Sequence, residues 1–280
     1  MAAQNLSQGR GKLHGTGDFR HLDLAICSAR KLSRIKREQQ NAYIGQVVTL
    51  FSPEFAQGCP SPVESKLDAL FDTLRDDKND EKDKMELEST MDYLGSKLNV
   101  SLENAELFVV LEIVQAPSVG EITRQGYVEG WKKANAGTTH QEHSRYVQRL
   151  LSTLSKNPAV FKKVYRYTFV AGREGDQKSL SLENALIYWG MLFSPPGMAW
   201  KTENHDWLDL WKTFLNEKWT RSVNKDMWNM VLEFAVKTLA DDSLSFWSED
   251  GAWPSVIDDF VEWCLKKGIG KSETMDVDAA

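Results

Sequence analysis

The residues of this 280-residue chain best suited to chemistry are carboxylates and histidines, and their spacing limits what that chemistry could be. The segment Asp77-Lys-Asn79-Asp-Glu81-Lys82-Asp83-Lys-Met85-Glu-Leu-Glu88 sets oxygens where a calcium loop needs its first, third, fifth, seventh and twelfth ligands. That loop also needs glycine at its sixth position for a sharp turn, and Lys82 stands there with a cation of its own. The pattern therefore predicts a helix–loop–helix that has lost its metal, with an EF-hand-like calcium-binding regulator as the alternative. The companion loop at Gly120-Glu-Ile122-Thr-Arg124 supplies almost no ligands. His140, Glu142 and His143 share a predicted loop where a metal site or acid–base pair is conceivable, but nothing completes it, and a solvated loop is preferred. The pairs Asp241-Asp242 and Asp258-Asp259 could act as general acid and base. Adjacent helical positions point apart, however, which favours a structural or recognition role over catalysis. No nucleophile elbow, phosphate loop, dinucleotide fingerprint or zinc spacing occurs, so the sequence predicts no catalytic residue, no metal and no cofactor.

The elements that position these groups are expected to be helices, because apolar residues recur every three or four positions. Leu67, Leu70, Phe71 and Leu74 form one stripe, and Leu87, Met91, Leu94 and Leu98 the next. Ser101 and Ser181 each open an identical Ser-Leu-Glu-Asn-Ala, a serine cap followed by an acid suited to a helix amino end. Further helices are predicted over Tyr146–Leu154, Val160–Val170, Trp207–Trp219, Trp228–Leu239 and Pro254–Leu265, with only short β segments between helices. Nine of the ten tryptophans lie from Trp189 onward, at spacings that suit a helix-packed core. The expected fold class is all-α.

Charge is uneven along the chain. Residues 1–40 hold eight Lys/Arg against three Asp/Glu, whereas the whole chain has a formal net charge of −6. From Asp226 to Glu262 there are nine acids and one base, Lys237, a composition that repels nucleic acid and favours a basic partner. Residues 1–62 are expected to be a basic, mostly disordered region and linker, with a short helix possible around Ile26–Gln46; residues 63–268 form the folded domain; 269–280 form a loose acidic tail. Three scattered cysteines suit a reduced intracellular protein. The longest apolar stretch, Leu107–Val114, is broken by Glu112 and falls far short of the ~18 residues that span a bilayer, so no membrane partner is expected. No secretory signal is evident, and organellar import is not expected.

The C-terminal half is more specific. Lys225-Asp226-Met-Trp228-Asn229, Ala240-Asp241-Asp242 and Gly251-Ala252-Trp253-Pro254-Ser-Val-Ile257-Asp258-Asp259-Phe260-Val261-Glu262-Trp263 resemble the signature of the defective-in-cullin-neddylation family and its PONY domain. The resemblance continues upstream through Phe161–Phe169, Ala185–Trp189 and Trp207–Trp211 and covers residues 64–265. It implies a helical PONY domain with two degenerate EF-hand-like units followed by a C-terminal helical bundle. It further implies a non-catalytic, monomeric scaffold in cytoplasm and nucleus. Such a co-ligase binds the cullin C-terminal domain and the modifier-conjugating enzyme together and promotes neddylation.

The family's cullin-facing Asp, Ala and Asp match Asp226, Ala252 and Asp258. Two carboxylates flanking a small residue would make a shallow acidic dish for Lys or Arg of the partner. The conjugating enzyme's acetylated N-terminal helix is expected in an apolar groove drawing on Val109, Tyr188 and Met191. Two features depart from the family: no ubiquitin-binding three-helix pattern is found in residues 1–62, and an insert, Ser194 to His205, separates two family-like helices and is expected to be a surface loop of little consequence.

Overall fold

The computed structural model describes residues 60–270, so the expected helix around Ile26–Gln46, most of the expected linker and the tail from Lys271 lie outside the described residues. Ser61 and Glu64 cap α1 (Pro62–Asp72) reciprocally, the Ser61 hydroxyl accepting the Glu64 N–H and the Glu64 carboxylate accepting the Ser61 N–H at 2.6 Å. Pro62 takes the first helical position, where a missing N–H costs least. There follow β1 (Lys84–Met85), α2 (Leu87–Asp92) running into a π-helical turn at Tyr93–Lys97, α3 (Ala105–Ile113), β2 (Ile122–Thr123) and α4 (Arg124–Ala134). β1 and β2 pair antiparallel, Lys84 opposite Thr123 and Met85 opposite Ile122, which ties the two helix–loop–helix units together.

The chain continues through α5 (His140–Leu151), a 3-10 turn at Leu154–Lys156, α6 (Pro158–Ala171), β3 (Ser179–Leu180), α7 (Leu182–Leu192), α8 (Trp207–Lys218), β4 (Val223–Asn224), α9 (Lys225–Ala240) and α10 (Ser255–Lys266). The expected all-α class holds. The second half is more than a plain bundle, because β3 and β4 also pair antiparallel, Ser179 with Asn224 and Leu180 with Val223. Each half thus carries two helix–loop–strand–helix units joined by a two-residue ladder. The repeated pentapeptide does not mark equivalent places in them. Ser181 follows β3 directly and accepts the Asn184 N–H at 3.1 Å as the cap of α7. Ser101 does not open its helix: α3 starts at Ala105, and Asn104 is the cap, accepting the Glu106 N–H at 2.9 Å.

Aromatic side chains fill the second half. Trp189 of α7 stacks on Trp228 of α9 with ring centroids 5.2 Å apart, and Tyr165 of α6 binds both. Its hydroxyl accepts the Trp189 indole N–H at 2.8 Å and donates to the Trp228 carbonyl at 2.8 Å, while the Trp228 indole donates to the Tyr165 carbonyl at 2.9 Å. Burying three polar groups is tolerable here because each is satisfied. Of the nine tryptophans that pattern alone assigned to the core, Trp189, Trp200, Trp207, Trp211, Trp228 and Trp263 are buried, whereas Trp219, Trp247 and Trp253 are half-buried against it.

Two expectations are corrected by this packing. The insert is not an inconsequential loop: Trp200 is 1% exposed, and its indole donates to the Thr238 hydroxyl at 2.8 Å. Asp241 and Asp242 do not lie on a helix, since α9 ends at Ala240. Asp242 instead accepts from Thr202, Asn204 and the Trp207 indole at 2.7–2.9 Å, which pins the insert to the end of α9.

Candidate functional site

Asp226 stands in the first turn of α9, where Asn224 caps the helix by accepting the Met227 N–H at 2.8 Å. A carboxylate there is favoured by the positive end of the helix. It is exposed and joins no ion pair among the described residues. Asp226 lines a cavity of about 630 Å³ with Lys178, Trp219, Arg221, Met227, Pro254 and Val256. The wall is of mixed charge, because the Arg221 guanidinium sits 4.2 Å over the Trp219 ring and Lys178 is close by.

Ala252 is exposed in the turn before α10, and Trp253 anchors that turn by packing edge-on against Phe234 at 5.6 Å. Gly251 is needed beside it: a Cβ there would meet the Ser248 carbonyl at 2.8 Å. Asp258, half-buried in the first turn of α10, accepts the Trp247 indole N–H at 2.9 Å. Asp226 therefore shares a cavity wall with the amino end of α10 (Pro254 to Val256), whereas Ala252 and Asp258 flank that end in sequence without lining the cavity. Trp247, Lys178 and Arg221 were not singled out from sequence. Arg221 and Trp247 lie near the pattern in the chain, just before Asp226 and Ala252, but neither is of the matched residue types, whereas Lys178 is far upstream and is brought beside Asp226 by the β3–β4 ladder.

Of the three groove residues, Val109 is 1% exposed and belongs to the core of α3. Tyr188 and Met191 on α7 are half-buried. Tyr188 meets α3 through an edge-on contact with Phe108, ring centroids 5.2 Å apart.

Three of the calcium-loop ligand positions already face cations: Asp77 pairs with Arg75 at 2.8 Å, Glu81 with Lys84 at 3.4 Å and Asp83 with Arg124. Asp80 accepts the Asp76 and Glu86 N–H groups, each at 2.8 Å, and although partial burial opposes it, bonds from Ser89, Glu86 and Asp76 hold this carboxyl below its ordinary range. Arg124 bonds Asp68 at 2.9 Å, Asp72 at 2.6 Å and Asp83 at 3.0 Å, and lies 4.7 Å over the Phe71 ring. Arg124 thus takes one of the loop's ligand carboxylates, Asp83, and ties it to α1 through Asp68 and Asp72. Among the described residues no group of three or more His, Cys, Asp or Glu is arranged to hold a metal.

His140, Glu142 and His143 do not form a solvated loop. They make up the first turn of α5, which Thr139 caps by accepting the Glu142 N–H. His143 is fully buried and stacks on Trp131 at 4.0 Å with the rings nearly parallel. Burial pushes its imidazole down to about 4, against a bond between Nε2 and the Gly137 carbonyl that works in the other direction. The acid pair Asp241-Asp242 is equally structural: Ser243 and Ser245 bonds hold Asp241 down to about 2.

Comparison with known proteins gives a consistent picture. The family model described as "Cullin binding" matches residues 142–263, a span that contains Asp226, Ala252 and Asp258. The chain is 44% identical over 229 residues to defective in cullin neddylation protein 1 of Pyricularia oryzae, covering 78% of this chain and 81% of that one. It is 34% identical over 194 residues to the protein of the same name from Yarrowia lipolytica, covering 69% and 75%. DCN1-like protein 4 of Homo sapiens is 33% identical over 177 residues, covering 63% and 56%.

Proposed function

Because the chain belongs to the defective in cullin neddylation family, we propose that it promotes neddylation of cullins as a scaffold with no active site of its own, binding the cullin C-terminal domain and the conjugating enzyme together. The observation that carries this reading is Asp226, an exposed carboxylate without an ion pair among the described residues, held by a capped helix beside the amino end of α10. A Lys or Arg of the cullin would donate a charge-assisted hydrogen bond to it. Asp258, oriented by Trp247, would take a second cation, and the small Ala252 would let the partner backbone approach. The acids from Asp226 to Glu262 would steer that basic partner.

In the same reading, the conjugating enzyme's acetylated N-terminal helix lies against α3 and α7, with Tyr188 and Met191 as the accessible lining and Val109 as the floor. Holding both partners converts an encounter into a nearly intramolecular step, so orientation does the work and no side chain of this protein needs to touch the reacting bond. The test is calorimetry with a cullin C-terminal domain. Wild type should bind, and Asp226→Ala and Ala252→Arg should each weaken binding at least about tenfold, ~1.4 kcal/mol. Equal affinity across the three proteins would refute the assignment.

A further inference from the structure

Lys225, the residue before Asp226, opens onto a different hollow. A cavity of about 700 Å³ lies between the carboxyl end of α3, one face of α6 and the amino end of α9, and Lys162, Lys163, Arg166, Lys225, Tyr167 and Val170 line it. We propose that this groove binds an acidic segment of a partner protein, whose carboxylates meet Arg166 and Lys225 and whose apolar side chain rests on Val170 and Tyr167. The inference is independent of the cullin reading, because it concerns other residues and a partner of opposite charge.

The charges point one way. In a chain with a net charge of −6, four cations gather here. Two are answered internally: Lys163 pairs with the buried Glu112 at 2.8 Å, and Lys162 with Glu233. Arg166 and Lys225 are exposed and join no ion pair among the described residues.

Their placement also works against local stability. Arg166 follows Lys162 by four positions and Lys163 by three, the spacings at which like charges on a helix repel. Lys225 stands in the first turn of α9, where a cation opposes the helix dipole. Lys162 and Lys163 have acids of their own, whereas Arg166 and Lys225 would each gain from a carboxylate arriving from outside. The apolar component is present too. Val170 is 37% exposed, and the Tyr167 ring is fixed beside it by a hydroxyl bond to the Ala116 carbonyl at 2.8 Å.

A polynucleotide fits less well than an acidic peptide. Only two cations are free to meet phosphates, and the acidic segment that begins at Asp226 borders the groove. A peptide with a few carboxylates around an aliphatic residue matches both the charge and the apolar floor.

The test is fluorescence anisotropy on the full chain with a labelled peptide, Glu-Glu-Val-Leu-Glu-Glu, its Gln-for-Glu counterpart, and a single-stranded oligonucleotide of the same charge. The acidic peptide should bind saturably, and the Gln peptide should not. Arg166→Glu and Lys225→Glu should each weaken binding at least about tenfold, Arg166→Lys should largely retain it, and salt should weaken it. Lys66→Glu, which makes the same charge change at an exposed site on α1, should have less than about a twofold effect. Circular dichroism would check that each variant is folded. Absence of saturable binding, equal weakening by Lys66→Glu, or tighter binding of the oligonucleotide would each overturn the proposal.

Discussion

Lys225 and Asp226 are consecutive residues in the first turn of α9, yet they line different cavities, one basic and the other bounded by the amino end of α10. Successive helical positions point about 100° apart, so a single helix end presents opposite charges to two surfaces.

The same pair makes opposite contributions to the fold. The helix dipole favours Asp226 and disfavours Lys225, and neither side chain has an ion pair among the described residues. Asp226→Ala should therefore cost about 0.3–1 kcal/mol, whereas Lys225→Glu should stabilise by a similar amount at low salt. Urea unfolding would measure both. A loss of stability in Lys225→Glu would show that the lysine has a structural partner.

Tyr165 holds three helices through two bonds of its hydroxyl. Tyr165→Phe leaves the Trp189 indole and the Trp228 carbonyl without these partners in the core, and should destabilise by about 2–4 kcal/mol. The expected readout is a lower denaturant midpoint with an unchanged slope. A change below about 0.5 kcal/mol would mean that the two groups find other partners.

His143 makes the fold sensitive to acid. Its imidazole is lowered to about 4 from the ordinary value of 6.5, so the folded state binds fewer protons than the unfolded state between these limits. The contribution is fully present above pH 6.5 and is lost as pH falls toward 4, amounting to roughly 3 kcal/mol. The stability difference between wild type and His143→Gln should narrow over that window, and a difference independent of pH would contradict the assignment.

Arg124 holds Asp68, Asp72 and Asp83 together. These carboxylates are more than half exposed, so solvent screening limits the effect, and Arg124→Gln should cost about 1–2 kcal/mol. Wild type should show no heat and no thermal shift with millimolar calcium. Binding at micromolar affinity would revive the calcium alternative.

The amount of this structure legible in the sequence depended on the range of the deciding interaction. The helical periods, the serine cap at Ser181 and the signature around Asp226 and Ala252 are local, and they were readable. Lys82 at the place of a loop glycine was enough to argue against calcium. The role of Arg124 in supplying a cation to that region was not readable, because Asp68 and Asp72 are more than fifty positions away. His143 is illegible for a related reason: its polar neighbours suggest a loop, whereas Thr139 caps a helix there and Trp131 covers the ring. The insert looked like surface because Trp200 finds its partner, Thr238, across the fold. The basic groove had one sequence signal, the spacing of Lys162, Lys163 and Arg166, but Lys225 joins them only through the packing of α9 on α6.

The most direct measurement is single-turnover transfer of the modifier from its conjugating enzyme to a cullin, with and without this protein. Wild type should accelerate transfer, and Asp226→Ala should lose that acceleration at subsaturating concentration while unfolding within about 1 kcal/mol of wild type. Full acceleration by Asp226→Ala, or none by wild type, would contradict the account.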